Sequence, residues 1–286
     1  MKQVWTIARL IRWTTTYFQE RGIESPRLDT EVLLAHVLQK DRIYLYVHFE
    51  EPLEAKELAT FHELVRRRGM REPVAYLTGQ REFMGLNFQV TPAVLIPRPD
   101  TEILVEAALT RLQKIEAPII ADIGTGSGAI ALSVLAHRTE AKAVATDIST
   151  EALTVAKRNA ESLKVAERVT FRQGDLCAPL AGQIFDAILV NPPYIAESER
   201  QSLQPEVRDY EPARALFAEH EGMAFYERLL DETGNFLQAQ GFLAVEAGIG
   251  QARKIQSLVT NLWQRVEILK DYAGKERVVV LWKKGI

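Results

Sequence analysis

Apolar residues recur at three- and four-residue spacing along the first quarter of the chain, as they do on the buried face of an α-helix. This spacing is found at Val4, Ile7, Ala8 and Ile11, at Val32, Leu33, His36 and Val37, and at Leu58, Phe61, Leu64 and Val65. Pro26 and Pro52 interrupt the pattern, and proline is favoured at the first position of a helix. We therefore predict that residues 1–76 form a small all-helical domain.

The pattern changes over residues 77–97, where apolar and polar positions partly alternate as in a half-buried β-strand. The apolar positions are Phe83, Leu86, Phe88 and Val90. A turn is predicted over residues 85–87, so this segment is interpreted as a β-hairpin that links two domains. A helix is predicted to begin within residues 97–102 and to run to about Lys114.

From Pro118 onward, short apolar segments alternate with amphipathic ones. Strands are predicted at 119–123, 142–147, 168–172, 185–190, 241–247, 265–270 and 277–282, and helices at 128–137, 151–164, 222–239 and 249–262. Strands alternating with helices indicate an α/β domain over residues 98–286, with a mostly parallel sheet covered on both faces. In such folds ligands bind beyond the carboxyl ends of the strands, so the loops there are the candidate site.

Composition and charge narrow the function classes. The chain has 286 residues, of which 47% are hydrophobic and 26% are charged, as in ordinary globular proteins. A net charge of −3 argues against a protein that grips nucleic acid mainly through a basic field. No direct nucleic-acid substrate is therefore expected, and a protein partner or a small ligand fits the charge better.

The few metal-binding residue types are scattered. Cys177 is the single cysteine and the five histidines show no ligand spacing, so neither a disulfide nor a metal site is predicted. The N-terminus shows no secretory signal, and the apolar runs are shorter than the ~20 residues of a membrane span. A cytoplasmic protein without membrane association is expected.

The loop after the first strand of the α/β region is rich in glycine. It contains Gly124, Thr125, Gly126, Ser127 and Gly128, and a predicted helix follows. Glycines at a strand–turn–helix junction let the backbone approach a ligand, although the same pattern also fits a plain tight turn. The spacing lacks the later glycine that dinucleotide-binding loops use, which favours S-adenosylmethionine over NAD.

Acidic residues follow the next two strands. Asp147 lies where a carboxylate can accept both ribose hydroxyls, although it also fits a helix-capping region with Ser149. Asp175 can accept the exocyclic amine of adenine, with Leu176 against the ring, although a solvated turn acid fits Asp175 as well. The three loops together have the order expected for one adenosine-containing ligand.

The loop after the fourth strand reads Asn191, Pro192, Pro193, Tyr194. Two prolines fix the backbone and remove two N–H donors, leaving a rigid surface of carbonyl oxygens beside an amide and a ring. The Asn191 side-chain oxygen and the Pro192 carbonyl can each accept one N–H of a planar –NH2 group, while Tyr194 covers it. Catalysis would then rest on orientation and fixed dipoles. The alternative is a strand terminator with Tyr194 in the core.

These motifs resemble the release-factor glutamine N5-methyltransferases, the PrmC/HemK family, over essentially the whole chain. The resemblance also includes residues 79–85 (GQREFMG), 97–102 (PRPDTE), 210–212 (YEP) and 271–277 (DYAGKER). Amino-methyltransferases that act on adenine share the NPPY loop, but its combination with PRPDTE is far more specific.

The resemblance implies a seven-stranded methyltransferase sheet whose last strand is antiparallel. It also implies methyl transfer from S-adenosylmethionine to the glutamine of the Gly-Gly-Gln motif in class 1 peptide-chain release factors. The cofactor would contact residues 124–128, Asp147, the Asp175–Leu176 turn and Asn191, and the substrate glutamine would lie against residues 191–194. Some relatives carry an aromatic residue at the position of Leu176, so only apolar contact with adenine is expected here.

Several alternatives stay open. The acceptor can be a ribosomal-protein glutamine or an adenine amino group, and an NAD-linked oxidoreductase or a non-catalytic binding module are further classes. Residues 97–102 can border the cofactor and substrate or merely cap a helix, and Glu246 can line the pocket or be structural. The basic cluster of Arg66, Arg67, Arg68 and Arg71 can touch a release factor or form a solvated helix face.

Overall fold

A computed structural model of the chain describes residues 4–285, which form two compact units. The helical unit contains the described residues through Gly79 together with residues 204–210, and the sheet unit contains the rest. The helices are α1 Ile7–Gln19, α2 Pro26–Leu38, α3 Arg42–Val47, α4 Ala55–Gly69, α5 Val74–Thr78, α6 Pro99–Leu112, α7 Ala129–His137, α8 Thr150–Ser162, α9 Pro205–Tyr210, α10 Glu219–Gly222, α11 Ala224–Glu232 and α12 Ala252–Ser257. The strands are β1 Gln80–Phe83, β2 Leu86–Gln89, β3 Ile119–Ile123, β4 Lys142–Asp147, β5 Val169–Gln173, β6 Phe185–Val190, β7 Ile195–Ala196, β8 Phe217–Ala218, β9 Leu237–Glu246, β10 Trp263–Lys270 and β11 Glu276–Lys283.

The core of the helical unit contains part of the apolar pattern, including Ile7, Leu33 and Phe61, whereas Val4 is 55% exposed. Its core includes Ile7, Phe18, Leu33, Leu45 and Phe61, all at most 1% exposed. Pro26 occupies the first turn of α2, and the Glu57 side chain accepts a hydrogen bond from the Glu54 backbone N–H at the start of α4. These local contacts define where the helices begin.

The helical unit also holds a segment from the second half of the chain. The sequence predicts residues 98–286 as one domain, whereas residues 204–210 group with the helices in the structure. Arg68 bonds to both Asp29 and Glu206, Arg71 bonds to Glu206, and the Tyr210 hydroxyl donates to the Met70 carbonyl. These contacts connect residues that are far apart in sequence, so local periodicity gives no signal for them.

The basic cluster predicted at residues 66–71 is used inside the helical unit. Arg66 pairs with Glu63, Arg67 pairs with Glu72, and both Arg68 and Arg71 pair with Glu206. The Arg68 side chain is only 7% exposed. Arg68 and Arg71 are thus engaged within the helical unit, whereas the Arg66 side chain is 52% exposed, and contact of this cluster with a release factor stays a prediction.

The sheet unit contains, within the described residues, a seven-stranded sheet in the order β10-β11-β9-β6-β3-β4-β5. Strands β3, β4, β5, β6 and β9 run parallel to one another, and β11 runs antiparallel to both of its neighbours, β9 and β10. The predicted α/β fold with an antiparallel last strand is thereby confirmed. The chain leaves β3 toward β4 and later returns to β6 on its other side, which makes the β3–β6 boundary the switch point.

Both faces of this sheet are buried. Ile188 and Leu189, adjacent on β6, point to opposite faces and are both fully buried. Helices α6, α7 and α8 cover one face, and α11 and α12 cover the other. Burial on both faces explains why the central strand β6 is mainly apolar along its length, without alternating apolar and polar positions.

Three predicted elements differ from the observed ones. The hairpin turn lies at Met84 and Gly85, both with positive φ, so the turn predicted over residues 85–87 is misplaced. The helix predicted over 222–239 ends at Glu232, and residues 237–246 form β9, because Leu237 pairs with Phe185 at the start of β6. The helix predicted over 249–262 covers only Ala252–Ser257.

Candidate active site

A cavity of about 160 Å³ opens at the carboxyl ends of β3, β4, β5 and β6. Among the predicted site residues, its wall contains Gly124, Thr125, Gly126, Ser127, Asp147, Asp175, Leu176, Asn191, Pro192 and Pro193. Gly128 and Tyr194 are absent from the described lining. The structure therefore brings the glycine loop, the two acidic loops and the Asn-Pro-Pro loop to one cavity at the switch point.

The glycine loop is held by its own neighbours in the sheet. The Thr125 backbone N–H donates to the Thr146 carbonyl, and the Gly126 N–H donates to Asp147 Oδ2 at 2.9 Å. Gly126 has φ +56°, a conformation that glycine adopts at low cost. Below the loop, buried Asp122 accepts bonds from the Thr125 hydroxyl and the Ala131 N–H, and desolvation raises the pKa of its carboxyl to about 6.

Gly128 has a packing role in this loop. It precedes α7 with φ +84°, and a Cβ there would lie 2.7 Å from Leu132 Cδ1. The absence of a side chain at Gly128 therefore leaves room for the Leu132 side chain in the following turn of α7. Its assignment to cofactor contact stays a prediction.

Asp147 ends β4 with both carboxylate oxygens already accepting backbone hydrogen bonds. Oδ2 accepts from Gly126 and Oδ1 accepts from Ser149 at 2.9 Å. A carboxylate has about four lone-pair positions, so two remain for hydroxyl donors in the cavity. Ser149 itself caps α8 by accepting a bond from the Ala152 N–H, so Asp147 orients the loop and Ser149 performs the capping.

The third loop places polar and apolar groups side by side. Asp175 Oδ2 accepts a hydrogen bond from Arg228 at 2.7 Å, and Leu176 is 8% exposed. Ile148, after β4, lines the same cavity and is 57% exposed. The sequence reasoning missed Ile148, whose position directly after an acid-ended strand is the available signal.

Asn191 follows β6 and has a defined amide orientation. Its Nδ2 donates to the Thr101 hydroxyl oxygen at 3.2 Å, and the Thr101 hydroxyl donates to buried Glu246 Oε2 at 2.6 Å. The amide oxygen of Asn191 is therefore the atom left to accept a donor. Desolvation raises the pKa of Glu246 to about 7.

Tyr194 extends away from the cavity wall into the core on the α11 side of the sheet. Its backbone carbonyl accepts a hydrogen bond from Gln251 Nε2 at 2.9 Å, and burial raises the pKa of its hydroxyl well above the usual range. Gly222 approaches this carbonyl so closely that a Cβ would lie 2.1 Å from the oxygen. These contacts fix the end of the Asn-Pro-Pro loop.

Residues 97–102 contribute to the cavity wall and tie it to a later segment. Pro97, Arg98 and Thr101 line the cavity. Glu211 accepts hydrogen bonds from the Arg98 guanidinium and from the Ile96 N–H. Glu102 instead accepts from the Met84 N–H and so anchors the hairpin turn.

The cavity wall also contains residues that the sequence reasoning did not assign individually. They include Ala93, Val94, Leu95, Ile130, Ala152, Pro212, Arg214, Ala215 and Phe225. Pro212 ends the family-like segment 210–212, and Arg214 and Ala215 follow it closely, which is a usable signal. Residues 93–95 and Phe225 carry no motif that would have identified them. Cys177, for its part, is 2% exposed and packs in the core.

A seven-stranded sheet with one antiparallel strand, and a glycine loop at its switch point, define a class I methyltransferase. Two solved structures share the fold. The methyltransferase from Pyrococcus furiosus has TM-score 0.52 and 19% identity, with 82% of this chain and 100% of that chain covered. The hMettl16 catalytic domain in complex with MAT2A 3'UTR hairpin 6 has TM-score 0.55 and 17% identity, with coverage of 76% and 81%.

Family models and curated relatives identify the family. Residues 9–79 match the PrmC N-terminal domain, and residues 100–207 match the methyltransferase small domain. The release factor glutamine methyltransferase of Geobacter sulfurreducens is 46% identical, covering 91% of this chain and 90% of that protein. The protein of that name from Rhodopirellula baltica is 42% identical, covering 98% and 97%.

The chain belongs to the release factor glutamine methyltransferase family and is an S-adenosylmethionine-dependent methyltransferase. The resemblance drawn from the sequence motifs is thereby confirmed. No helix within residues 4–285 is both long and apolar enough to cross a membrane.

Proposed function

We propose that this protein methylates the side-chain amide nitrogen, N5, of the glutamine in the Gly-Gly-Gln motif of class 1 peptide-chain release factors. The observation that carries the proposal is that Asn191, Pro192 and Pro193 line the same cavity as the glycine loop. An amide-binding loop and an adenosine-binding loop are thus within one site. The curated relatives named release factor glutamine methyltransferase support the same acceptor class.

The residues present fit S-adenosylmethionine. The glycine loop would hold it through residues 124–127, with Asp147 accepting ribose hydroxyls. Ile148 and Leu176 would offer apolar contact to adenine, and Asp175 would accept its amine. These assignments rest on the cavity wall, where lone pairs of Asp147 and the exposed side chain of Ile148 are available to a ligand.

When bound, S-adenosylmethionine would supply a methyl group carried on a positively charged sulfur; the sulfur would keep the electron pair of the broken S–C bond, and the proton displaced from the amide nitrogen would pass to solvent. The chain's own contribution is orientation. An amide nitrogen is a weak nucleophile because its lone pair is delocalised, so a fixed geometry matters more than a base. Asn191 Oδ1 and the Pro192 carbonyl would accept the two N–H groups and aim the nitrogen.

The two prolines make this grip selective for a donor group. Neither Pro192 nor Pro193 has an N–H, so the loop offers acceptors and no competing backbone donor at those positions. A substrate that accepts the methyl group on a hydroxyl or a carboxylate cannot donate to both of these hydrogen-bond acceptors. Only an –NH2 group supplies two N–H donors in one plane. The site chemistry therefore favours an amide or amino acceptor.

The helical unit is proposed to recognise the release factor. Ile43 and Val47 lie one turn apart on α3 and are each 71% exposed, forming an apolar pair on its surface. Replacing both with serine should raise KM for the release factor several-fold and leave the cofactor Kd unchanged. An unchanged KM would place the recognition surface elsewhere.

The test is methyl transfer from labelled S-adenosylmethionine to a purified class 1 release factor. The wild-type factor is compared with a variant in which the glutamine of Gly-Gly-Gln is alanine, and mass spectrometry places the label. Label on the wild type alone, at the side-chain amide, supports the proposal. Label on both factors would mean that another residue accepts the methyl group. Label on neither, with cofactor binding intact, would favour a ribosomal-protein glutamine or an adenine as the methyl acceptor.

A further inference from the structure

Three residues from three separate elements meet behind the Asn-Pro-Pro loop. Asn191 directly follows β6 and Glu246 ends β9, and the parallel register pairs Val190 with Val245, so the two residues occupy matching places on adjacent strands. Thr101 reaches them from the first turn of α6. Between 55 and 145 positions separate these residues along the chain, so only the fold brings them together.

The three side chains form a continuous hydrogen-bonded chain. Asn191 Nδ2 lies 3.2 Å from Thr101 Oγ1, which lies 2.6 Å from Glu246 Oε2. Thr101 is 4% exposed and Glu246 is 1% exposed, while Asn191 reaches the cavity. A buried carboxylate with a short bond to a buried hydroxyl is thus linked directly to the amide that lines the site.

The numbers of donors and acceptors fix the direction of this chain. A threonine hydroxyl has one proton to donate, and an ionised carboxylate can only accept. Once the Thr101 proton is committed to Glu246, Thr101 Oγ1 can only accept from Asn191. The amide must therefore present its Nδ2 to Thr101 and keep its Oδ1 for the cavity.

We propose that Thr101 and Glu246 are positioning residues that lock the Asn191 amide with its carbonyl oxygen toward the substrate amide. This inference rests on the proposed function, because a glutamine –NH2 group needs an acceptor at that place. A flipped Asn191 would instead present two N–H donors to a donor group, which is repulsive. Thr101 and Glu246 thus act through Asn191 and need not touch the substrate.

The lock depends on the charge of Glu246. Burial raises the pKa of this carboxyl to about 7, opposed by the Thr101 bond and by the positive charges of Arg277 and Arg98, with Asp100 adding to the rise. Tyr194 and Tyr226 also face Glu246, and the Tyr226 hydroxyl donates to its backbone carbonyl. A protonated Glu246 can donate to Thr101, which frees the Thr101 hydroxyl to donate to Asn191 Oδ1 and lets the amide turn over.

The kinetic test uses two substitutions at Thr101. Thr101→Val keeps the shape and removes the hydroxyl, and we expect kcat to fall about 10- to 100-fold, since a buried polar group loses its partner. Thr101→Ser keeps the hydroxyl and should retain kcat within about threefold by the same reasoning. Equal losses in both variants would contradict the relay and indicate a packing role for the threonine methyl group.

The second arm asks whether Thr101 acts through Asn191. In an Asn191→Ala background, Thr101→Val should lower kcat by less than about threefold more, because the group it positions is already gone. A loss as large as in the wild-type background would overturn the proposal. Circular dichroism and thermal melting of each variant establish that it is folded.

A measurement on the wild-type protein does not depend on the methyl acceptor, and it needs a variant only to assign the resonances. In ¹⁵N-labelled wild type, the Asn191 side-chain –NH2 resonances are identified by their loss in Asn191→Ala. We expect them to shift with pH around a midpoint near 7, while those of exposed Asn235 do not. If the Glu246 carboxyl, followed by its ¹³C resonance, titrates between pH about 5.5 and 8.5 while the Asn191 resonances stay constant, the relay is refuted even if methylation of the release factor succeeds. A clear titration would support it even if the release factor proves to be the wrong acceptor.

Discussion

The two halves of the candidate site are built in different ways. On the glycine-loop side, the contacts join residues close in sequence, such as Thr125 with Asp122 and Gly126 with Asp147, which is 21 positions away. On the Asn191 side, Thr101 bonds to a residue 90 positions away and to another 145 positions away. The first half is thus largely a local structure, and the second is an assembly of distant elements.

This difference suggests separate tasks for the two halves: the glycine-loop side binds the cofactor, and the Asn191 side orients the substrate amide. A local loop can be recognised from its residues because strand, turn and helix supply the geometry together. An assembled site depends on register between β6 and β9 and on the placement of α6, so its residue roles appear only in the fold. We therefore expect substitutions on the glycine side to change cofactor affinity, and those on the Asn191 side to change the rate of methyl transfer.

The largest effect is expected from Asn191→Ala. Removing the amide oxygen deletes a fixed acceptor for the substrate –NH2 group, and the kcat of methyl transfer should fall about 10²- to 10³-fold. The Kd for S-adenosylmethionine, measured by titration calorimetry, should change less than about fivefold, since residues 124–127 and Asp147 remain. Asn235→Ala, at an exposed position, is the matched control. A parallel loss of cofactor affinity would erase the proposed division between the halves.

Asp147→Asn should have the converse signature. The carboxylate serves both the Gly126 and Ser149 N–H groups, and the amide would turn its –NH2 toward one of them. We expect the Kd for S-adenosylmethionine to rise about 10- to 100-fold and kcat at saturating cofactor to fall much less. Asp231→Asn, on an exposed part of α11, controls for loss of charge. A fall in kcat with unchanged Kd would assign Asp147 to the orientation half.

Gly128→Ala should affect stability more than binding. The substitution combines an unfavourable positive φ with a contact 2.7 Å from Leu132 Cδ1, and should lower the free energy of unfolding by about 2 kcal/mol. Gly182→Ala is the matched control, because its φ is +80° but no atom lies within 4 Å of the new Cβ. The difference between the unfolding free energies of the two variants, measured with urea, isolates the cost of the contact with Leu132. If cofactor affinity falls instead while stability holds, Gly128 belongs to the binding surface.

The sequence predicted most of the sheet because its central strands, such as residues 119–123 and 185–190, are mainly apolar segments that lie between helices. Strands at 119–123, 142–147 and 185–190 have the bounds that the pattern indicates. The helix predicted over 222–239 failed after Glu232, because pairing of Leu237 with Phe185 is a tertiary contact that overrides local helical preference.

The same limit applies to the site. The residue types of the glycine loop and of the Asn-Pro-Pro loop indicate their chemistry, and the structure brings both to one cavity. The role of Thr101 was hidden within a segment that equally fits a helix cap, and Glu246 appeared only as one acid after a strand. Hydrogen bonding between Thr101 and Glu246 depends on the packing of α6 against β9, which a single sequence does not display.

Substitution of Tyr194 tests whether this side chain belongs to the group on the Asn191 side that orients the substrate amide. The smallest change in kcat is expected from Tyr194→Phe. The ring packs into the core beside α11, while its backbone carbonyl is fixed by Gln251. If the ring supports the loop by packing, Tyr194→Phe should keep kcat within about threefold, because the lost hydroxyl supplies no bond to the substrate in this arrangement. Tyr194→Ala should lower both stability and kcat, since it leaves a cavity beneath the Asn-Pro-Pro loop. Steady-state kinetics with urea unfolding on both variants decides the matter, because a large kcat loss in Tyr194→Phe at unchanged stability would make the hydroxyl part of the chemistry.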